Sequence, residues 1–176
     1  MSAPAFDLQP TLKGALLELR PLRAGDFEAL YAAASDPLIW EQHPASDRWT
    51  RPVFEKFFAE AMASGGAFAV VDPRTGAIVG SSRYYDLDPA KGQVAVGFTF
   101  LTRVCWGGAH NADLKRLLLD HAFRFVPAVV FHVDERNARS RRAMEKIGGV
   151  LVGREERPGP RGGTRTVVVY RIVKKA

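Results

Sequence analysis

Between Gln93 and Asp134 the chain runs strand, glycine turn, helix, strand, and this unit restricts the fold more than any other stretch. Gln93–Leu101 (QVAVGFTFL) reads as a strand with Val94, Val96, Phe98 and Phe100 on one face. Residues 105–123 (CWGGAHNADLKRLLLDHAF) pass through Gly107 and Gly108 into a helix, where Leu114, Leu117, Leu118, His121, Ala122 and Phe125 recur at helical spacing. Pro127 stops that helix, and Ala128–Asp134 (AVVFHVD) is apolar and β-branched, as suits a central strand. Strand, helix and strand in this order require a parallel or crossover pairing, hence a mixed sheet with helices on its faces.

The remaining segments fit around that unit. Residues 16–22 (LLELRPL) predict a strand that Pro21 pushes towards an edge or an end, followed by an apolar-rich helix over 27–34. Residues 35–51 read as a pocket-shaping loop, because Pro37, Pro44, Trp40, His43 and Trp49 break any period. A second helix starts near Pro52, with Thr50 as its cap, and ends at Gly65 and Gly66. Residues 67–72 and 77–85 form a hairpin about Pro73–Gly76. The last helix spans 137–147, and strands over 150–153 and 166–173 flank the loop PGPRGG. Gly97 inside its strand marks a bulge or a close approach by a ligand or another backbone.

The turn at Gly107 and Gly108 is an anion site in outline. Glycine permits the tight turn, and the amides opening the next helix point outward at the positive end of its dipole. A formal charge of +6 and a pI near 9.8 also favour an anionic partner without naming it. With 176 residues, 47% of them hydrophobic and 25% charged, one globular domain over the whole chain is expected. One cysteine, Cys105, excludes an internal disulfide framework. The first ten residues lack signal-peptide character, and no apolar run approaches the ~20 residues of a membrane span, so a cytoplasmic home is expected. Four scattered histidines and one cysteine offer no metal spacing.

The order of elements, with RVCWGGAHNADLK from Arg103 and NARSRRAMEKIGG from Asn137, resembles the GCN5-related N-acetyltransferases, or GNAT family. Within it the likeness is to the branch containing the ribosomal-protein N-terminal acetyltransferases. It covers about residues 16–173. It implies an α/β (α+β) GNAT fold: a mixed, mostly antiparallel sheet of about 6–7 strands flanked by about 4 helices, binding acetyl-CoA. By resemblance, the backbone of Phe100, Leu101 and Thr102 pairs with the pantetheine arm, and an amide near Leu101 serves as oxyanion donor. The amides of Gly107, Gly108, Ala109, His110, Asn111 and Ala112, after Trp106, cradle the pyrophosphate. Asn137 matches an asparagine that bonds pantetheine, and Ser140 a hydroxyl near the sulfur.

Spacing alone puts Asn137, Ser140 and Met144 on one helical face, where the two polar groups need partners; capping by Asn137 is the plainer reading. The glycine loop departs from the common pattern at Ala109 and Asn111, though its Trp-Gly start is similar to a subgroup of the family. Ala95 stands where many relatives carry a glutamate that draws a proton from the amine, so the base is open among His132, Asp134, Glu135, Glu41 and water. Ser140 is the candidate acid. Lys115 is a candidate for the pyrophosphate and Arg139, with Arg141 or Arg142, for the 3′-phosphate of CoA. His121 reads as a buried, hydrogen-bonded histidine and Cys105 as a small apolar filler.

The expected activity is transfer of the acetyl group of acetyl-CoA directly to a primary amine, of a protein N-terminus or a small molecule. Trp40, Arg48 and Tyr84 are the candidate acceptor-lining residues, and a homodimer is among the expected states. The rival is a non-catalytic acyl-CoA sensor or a nucleic-acid-binding module on the same fold, the latter resting only on the basic helix and the Arg161-Gly-Gly segment.

Overall fold

The computed structural model describes residues 5–176. Strands are β1 (Leu12–Lys13), β2 (Glu18–Pro21), β3 (Ala67–Val71), β4 (Ile78–Asp88), β5 (Gln93–Leu101), β6 (Ala128–Asp134), β7 (Val150–Pro158) and β8 (Thr164–Val173). Helices are α1 (Phe27–Ala34), α2 (Pro37–Trp40), α3 (Arg51–Ser64), α4 (Ala109–Ala122) and α5 (Ala138–Lys146). The eight strands form one sheet in the order β1-β2-β3-β4-β5-β6-β8-β7, antiparallel throughout except for β5 beside β6. Both counts exceed the expected 6–7 strands and 4 helices. The additions are β1, of two residues, and α2, one turn inside the segment read as a loop, where Asp36 caps Leu38 and Pro37 opens the helix.

Helices cover the sheet unequally. On one face α4 and α5 pack Leu114, Leu118, Ala122 and Met144 onto Val94, Val96, Val129, Phe131 and Tyr170. On the other, α1 and α3 pack Leu30, Phe54, Phe57, Phe58 and Ala61 onto Ala67, Ala69 and Phe100. Each buried Val, Leu, Phe or Met side chain among these stabilises the fold by about 1.5–3 kcal/mol. Towards β6 and β8 that second face carries only Ala95, Val130 and Val169 with Tyr85 over them, beside an open chamber lined by Gln93, Val130, His132, Glu155, Val169 and Arg171. The β7–β8 hairpin is longer than its sequence suggested, since β7 runs to Pro158, and it leans across this chamber. Arg157 reaches Asp86 on β4 at 2.8 Å, and Arg161 reaches Asp47 at 3.1 Å.

A bulge in β5 settles which side chains face the chamber. Opposite β4, Gly97 pairs with Arg83 and Phe100 with Ser81, so Phe98 and Thr99 together face Ser82. One extra residue sits in β5, and Phe98 takes a positive φ of 53°. A single inserted residue reverses the alternation downstream. Val94 and Val96 therefore face α4 while Phe100 packs with α1 and α3, correcting the reading that put all four large residues on one face. At Gly97, an added Cβ would lie 3.0 Å from the Tyr85 ring, so the close approach read from this glycine is by a side chain. Among the described residues no helix is long and apolar enough to cross a membrane.

Candidate active site

The β5–β6 ladder joins residues 93–95 to 128–130 and goes no further, so the rest of β5 has no backbone partner on its β6 side. Thr102 N–H donates to Val79 C=O at 2.8 Å, and Thr102 C=O accepts from Cys105 at 2.9 Å. Antiparallel ladders alternate, so Phe100, opposite Ser81, also turns its backbone to β4, and Leu101 turns away from it. The expected pairing of the pantetheine arm with Phe100 and Thr102 is thus corrected, because those groups are engaged within the protein. Leu101 C=O accepts from Trp106 Nε1 at 2.9 Å, leaving its N–H to face the gap.

The turn before α4 has the predicted form. Gly107 and Gly108 have φ of 86° and 153°, conformations that favour glycine, and the space around them is open. No side chain caps α4, and its first helical bond runs from Ala112 N–H to Gly108 C=O at 3.2 Å. The amides of Ala109, His110 and Asn111 precede that bond and have no helical acceptor. Ala112 is corrected accordingly: its amide lies within the helix ladder.

Two basic residues assigned to CoA phosphates lie elsewhere. Lys115 is 4% exposed, its Nζ 3.2 Å from Thr99 Oγ1 and 5.3 Å from the centre of the Phe131 ring, between β5 and β6 under α4. Burial pulls its ammonium down to about 8. Arg139 stacks 4.4 Å over Trp106, donates to Ile39 C=O at 2.7 Å and lies 3.8 Å from Glu41. Its donors hold the start of α5 to α2 instead of facing outward to a 3′-phosphate. Asn137, buried, accepts from Ser140 N–H at 3.1 Å as the cap of α5. The Ser140 hydroxyl has no hydrogen-bond partner among the described residues.

On the acceptor side, Tyr84 is a correction. It is 1% exposed and its hydroxyl donates to Leu118 C=O, so it belongs to the core under α4. Trp40 is a wall: its Nε1 donates to Ala34 C=O at 2.8 Å, and its ring lies 5.1 Å from Phe100. Arg48 packs against that wall, its guanidinium 5.1 Å from Trp40 and 4.5 Å from Phe57. Sequence reasoning missed Arg83, one residue before Tyr84, which lies 3.9 Å over Phe98 and 5.7 Å from Phe57. An arginine between the serines and tyrosines of a strand interior was the available signal. Burial pulls both guanidiniums down to about 10, and at Arg48 the charge of Arg83 adds to that fall. His43 beside them is pushed down to about 3, by burial first and Arg48 next, and stays neutral.

His132, one of the candidate bases, is linked to Tyr85 and Arg157, two partners that the sequence did not reveal. Tyr85 Oη is 2.8 Å from His132 Nδ1, and Arg157 donates to His132 Nε2 at 2.8 Å. Arginine can only donate, so Nε2 is the acceptor and Nδ1 carries the proton towards Tyr85. Burial, then the Arg157 charge, holds the imidazole pKa below its ordinary value. His132 is therefore a neutral, fully engaged group, and the Tyr85 proton is the one directed away from it. Burial raises Tyr85 to about 12. Among the described residues no cluster of three His, Cys, Asp or Glu side chains could hold a metal ion.

A family model described as acetyltransferase (GNAT) domain matches residues 17–150. The chain belongs to the GNAT family. It is an acetyl-CoA-dependent acyltransferase, and GNAT enzymes act on amine acceptors. Solved GNAT structures superpose closely. A GCN5-related N-acetyltransferase from Brucella melitensis shares 21% identity at a TM-score of 0.83, over 98% of this chain and 80% of that one. The acetyltransferase from Agrobacterium tumefaciens str. C58 shares 26% at 0.71, over 94% and 95%. Mycobacterium smegmatis RimJ, in complex with CoA-disulfide, shares 18% at 0.70, over 93% and 86%. No curated protein matches the sequence. The donor set suits the GNAT cofactor: free amides at a glycine turn for an anion, and a free Leu101 amide in an unpaired strand gap for an extended arm.

Proposed function

We propose that this GNAT domain, working as a single unit, transfers the acetyl group of acetyl-CoA directly to a primary amine. The observation that carries this reading is the β5–β6 gap, with the Leu101 amide facing it and the unpaired turn amides of Ala109 to Asn111 beyond it. Acetyl-CoA supplies the thioester as acyl donor. Leu101 N–H holds the developing oxyanion, a role that aligned amide donors perform at a cost of 10²–10³ in rate when one is lost. The turn amides orient the donor, and the chamber under the β7–β8 hairpin admits the amine, so that positioning lowers much of the barrier.

No carboxylate replaces Ala95 beside the bulge. The amine loses its proton to water or to a group reached through it, and Ser140, free of partners, is the candidate donor to the departing thiolate. The resemblance of the Trp106 turn and the Asn137 helix motif to the ribosomal-protein N-terminal acetyltransferase branch supports a polypeptide N-terminus as one acceptor class beside small-molecule amines. Release of CoA thiol from acetyl-CoA, measured over N-terminal peptides and small amines, tests the reading: stoichiometric thiol and acetylated amine are expected. Acetyl-CoA binding with no turnover on any acceptor would overturn it.

A further inference from the structure

Arg83 and Arg48 are out of keeping with the rest of the chamber. Arg83 is 6% exposed, and its Nε and one terminal nitrogen are buried without a hydrogen-bond partner; Arg48 Nε is in the same condition. Four nearby arginines have carboxylates: Arg157 has Asp86 and Glu155, Arg161 has Asp47, Arg165 lies 3.8 Å from Asp134, and Arg139 lies 3.8 Å from Glu41; Arg171, beside Val169 on β8, shares only the buried, unpartnered Nε. Among the described residues no carboxylate lies within 4 Å of Arg83 or Arg48. A buried charge without a partner is strongly destabilising, and two like charges side by side are worse. Glu60 and Asp47 act on them only at longer range.

Their setting says what is missing. Phe98, Phe57 and Trp40 surround the two guanidiniums, which supplies cation–π contact but no hydrogen-bond acceptor and leaves N–H groups of both as free donors. Planar donors of that kind match a carboxylate in bidentate fashion. Neutral His43 adds no competing charge. Arg83 pairs in register with Gly97, and Phe98 lies in the β5 bulge three residues before Leu101, roughly 10 Å along the strand. Arg83 is thereby held on the strand next to β5, close in register to the Leu101 amide.

The geometry points to an acceptor that carries a carboxylate as well as its amine, the carboxylate seated between Arg48 and Arg83 while the amine approaches the thioester. This rests on the transferase reading above. The carboxylate has two sources, a free amino acid or the side chain of an acidic residue beside a peptide's N-terminus.

The test uses matched pairs: glycine, β-alanine, 4-aminobutyrate and the α-amino acids against their amides, and peptides beginning Asp or Glu against Asn or Gln. At least one acid is expected to exceed its amide about 30-fold in kcat/KM, and which series does so identifies the source. Arg83→Met should bring that ratio within about threefold, with Arg83→Lys recovering part of it. Amides turned over as well as acids would overturn the proposal and leave the transferase reading standing; no turnover on any amine defeats that reading first. A readout independent of turnover decides even then. At equal ionic strength, sodium acetate should raise the melting temperature of the wild type above its value in chloride, and not that of Arg83→Met or Arg48→Met. Equal melting temperatures in the two salts would sink the carboxylate site.

Discussion

Lys115 carries a testable electrostatic penalty. Burial under α4 lowers its pKa from 10.5 to about 8, so the unfolded chain binds more protons than the folded one between those values. The penalty is fully present below about pH 8 and is relieved as pH rises towards 10.5. Lys115→Met should therefore raise stability at pH 7 and flatten the rise seen between pH 8 and 10, as followed by melting temperature in buffers across that range. Asn137 acts at the same scale. Its Oδ1 caps the Ser140 amide, and Asn137→Ala should cost about 1 kcal/mol, or roughly 2–4 °C in melting temperature for a chain of this size. A larger loss of acetyl-CoA affinity than of stability would show that it also touches the cofactor. Helical spacing made Asn137 and Ser140 legible as neighbours; that Lys115 points inward was not, because a lysine on the wheel is read as solvated unless something holds it.

Among the elements, the glycine turn and the β5 bulge do the positioning. Gly108, at a φ of 153°, holds the backbone so that three amides precede the first helical bond of α4. Gly108→Ala strains that backbone by about 1–3 kcal/mol and should weaken acetyl-CoA binding tenfold or more by calorimetry. An unchanged affinity would place the phosphates elsewhere. The turn was legible, since two adjacent glycines before an amphipathic helix have few other uses. The bulge was only half legible. Gly97 signalled an irregularity, but a period-two reading carries on through any inserted residue, so Phe98 and Phe100 were assigned to the wrong side of the sheet.

For the whole molecule, Asp113 ties the N-terminal segment to α4. Burial raises its pKa, but the amides of Leu16 and Leu17, at 2.9 and 3.1 Å, and Arg116 more than offset this and hold it below its ordinary value of 3.8. Its contribution is present above that value and is lost as pH falls through the lower folded-state pKa. Asp113→Asn should thus lower stability at pH 7 by about 1–3 kcal/mol and make acid unfolding less steep, monitored by circular dichroism between pH 5 and 2. The carboxylate lies where a Cβ on residue 14 would fall, which is why Gly14 admits it.

By itself the sequence determined the crossover unit, the mixed sheet, the glycine turn and the capped last helix. Each depends on local periodicity, proline and glycine conformation, or residues within a few positions of one another. Tertiary structure alone decided the site's chemistry. Arg48 and Arg83, 35 positions apart, meet only because α3, the segment before it and β4 converge on one chamber. Tyr84 turns into the core while its neighbours Arg83 and Tyr85 face that chamber. Leu101 owes its free amide to a ladder that ends six residues earlier. Which donors remain unpaired depends on every partner brought within reach by folding, and no local pattern in the chain records that.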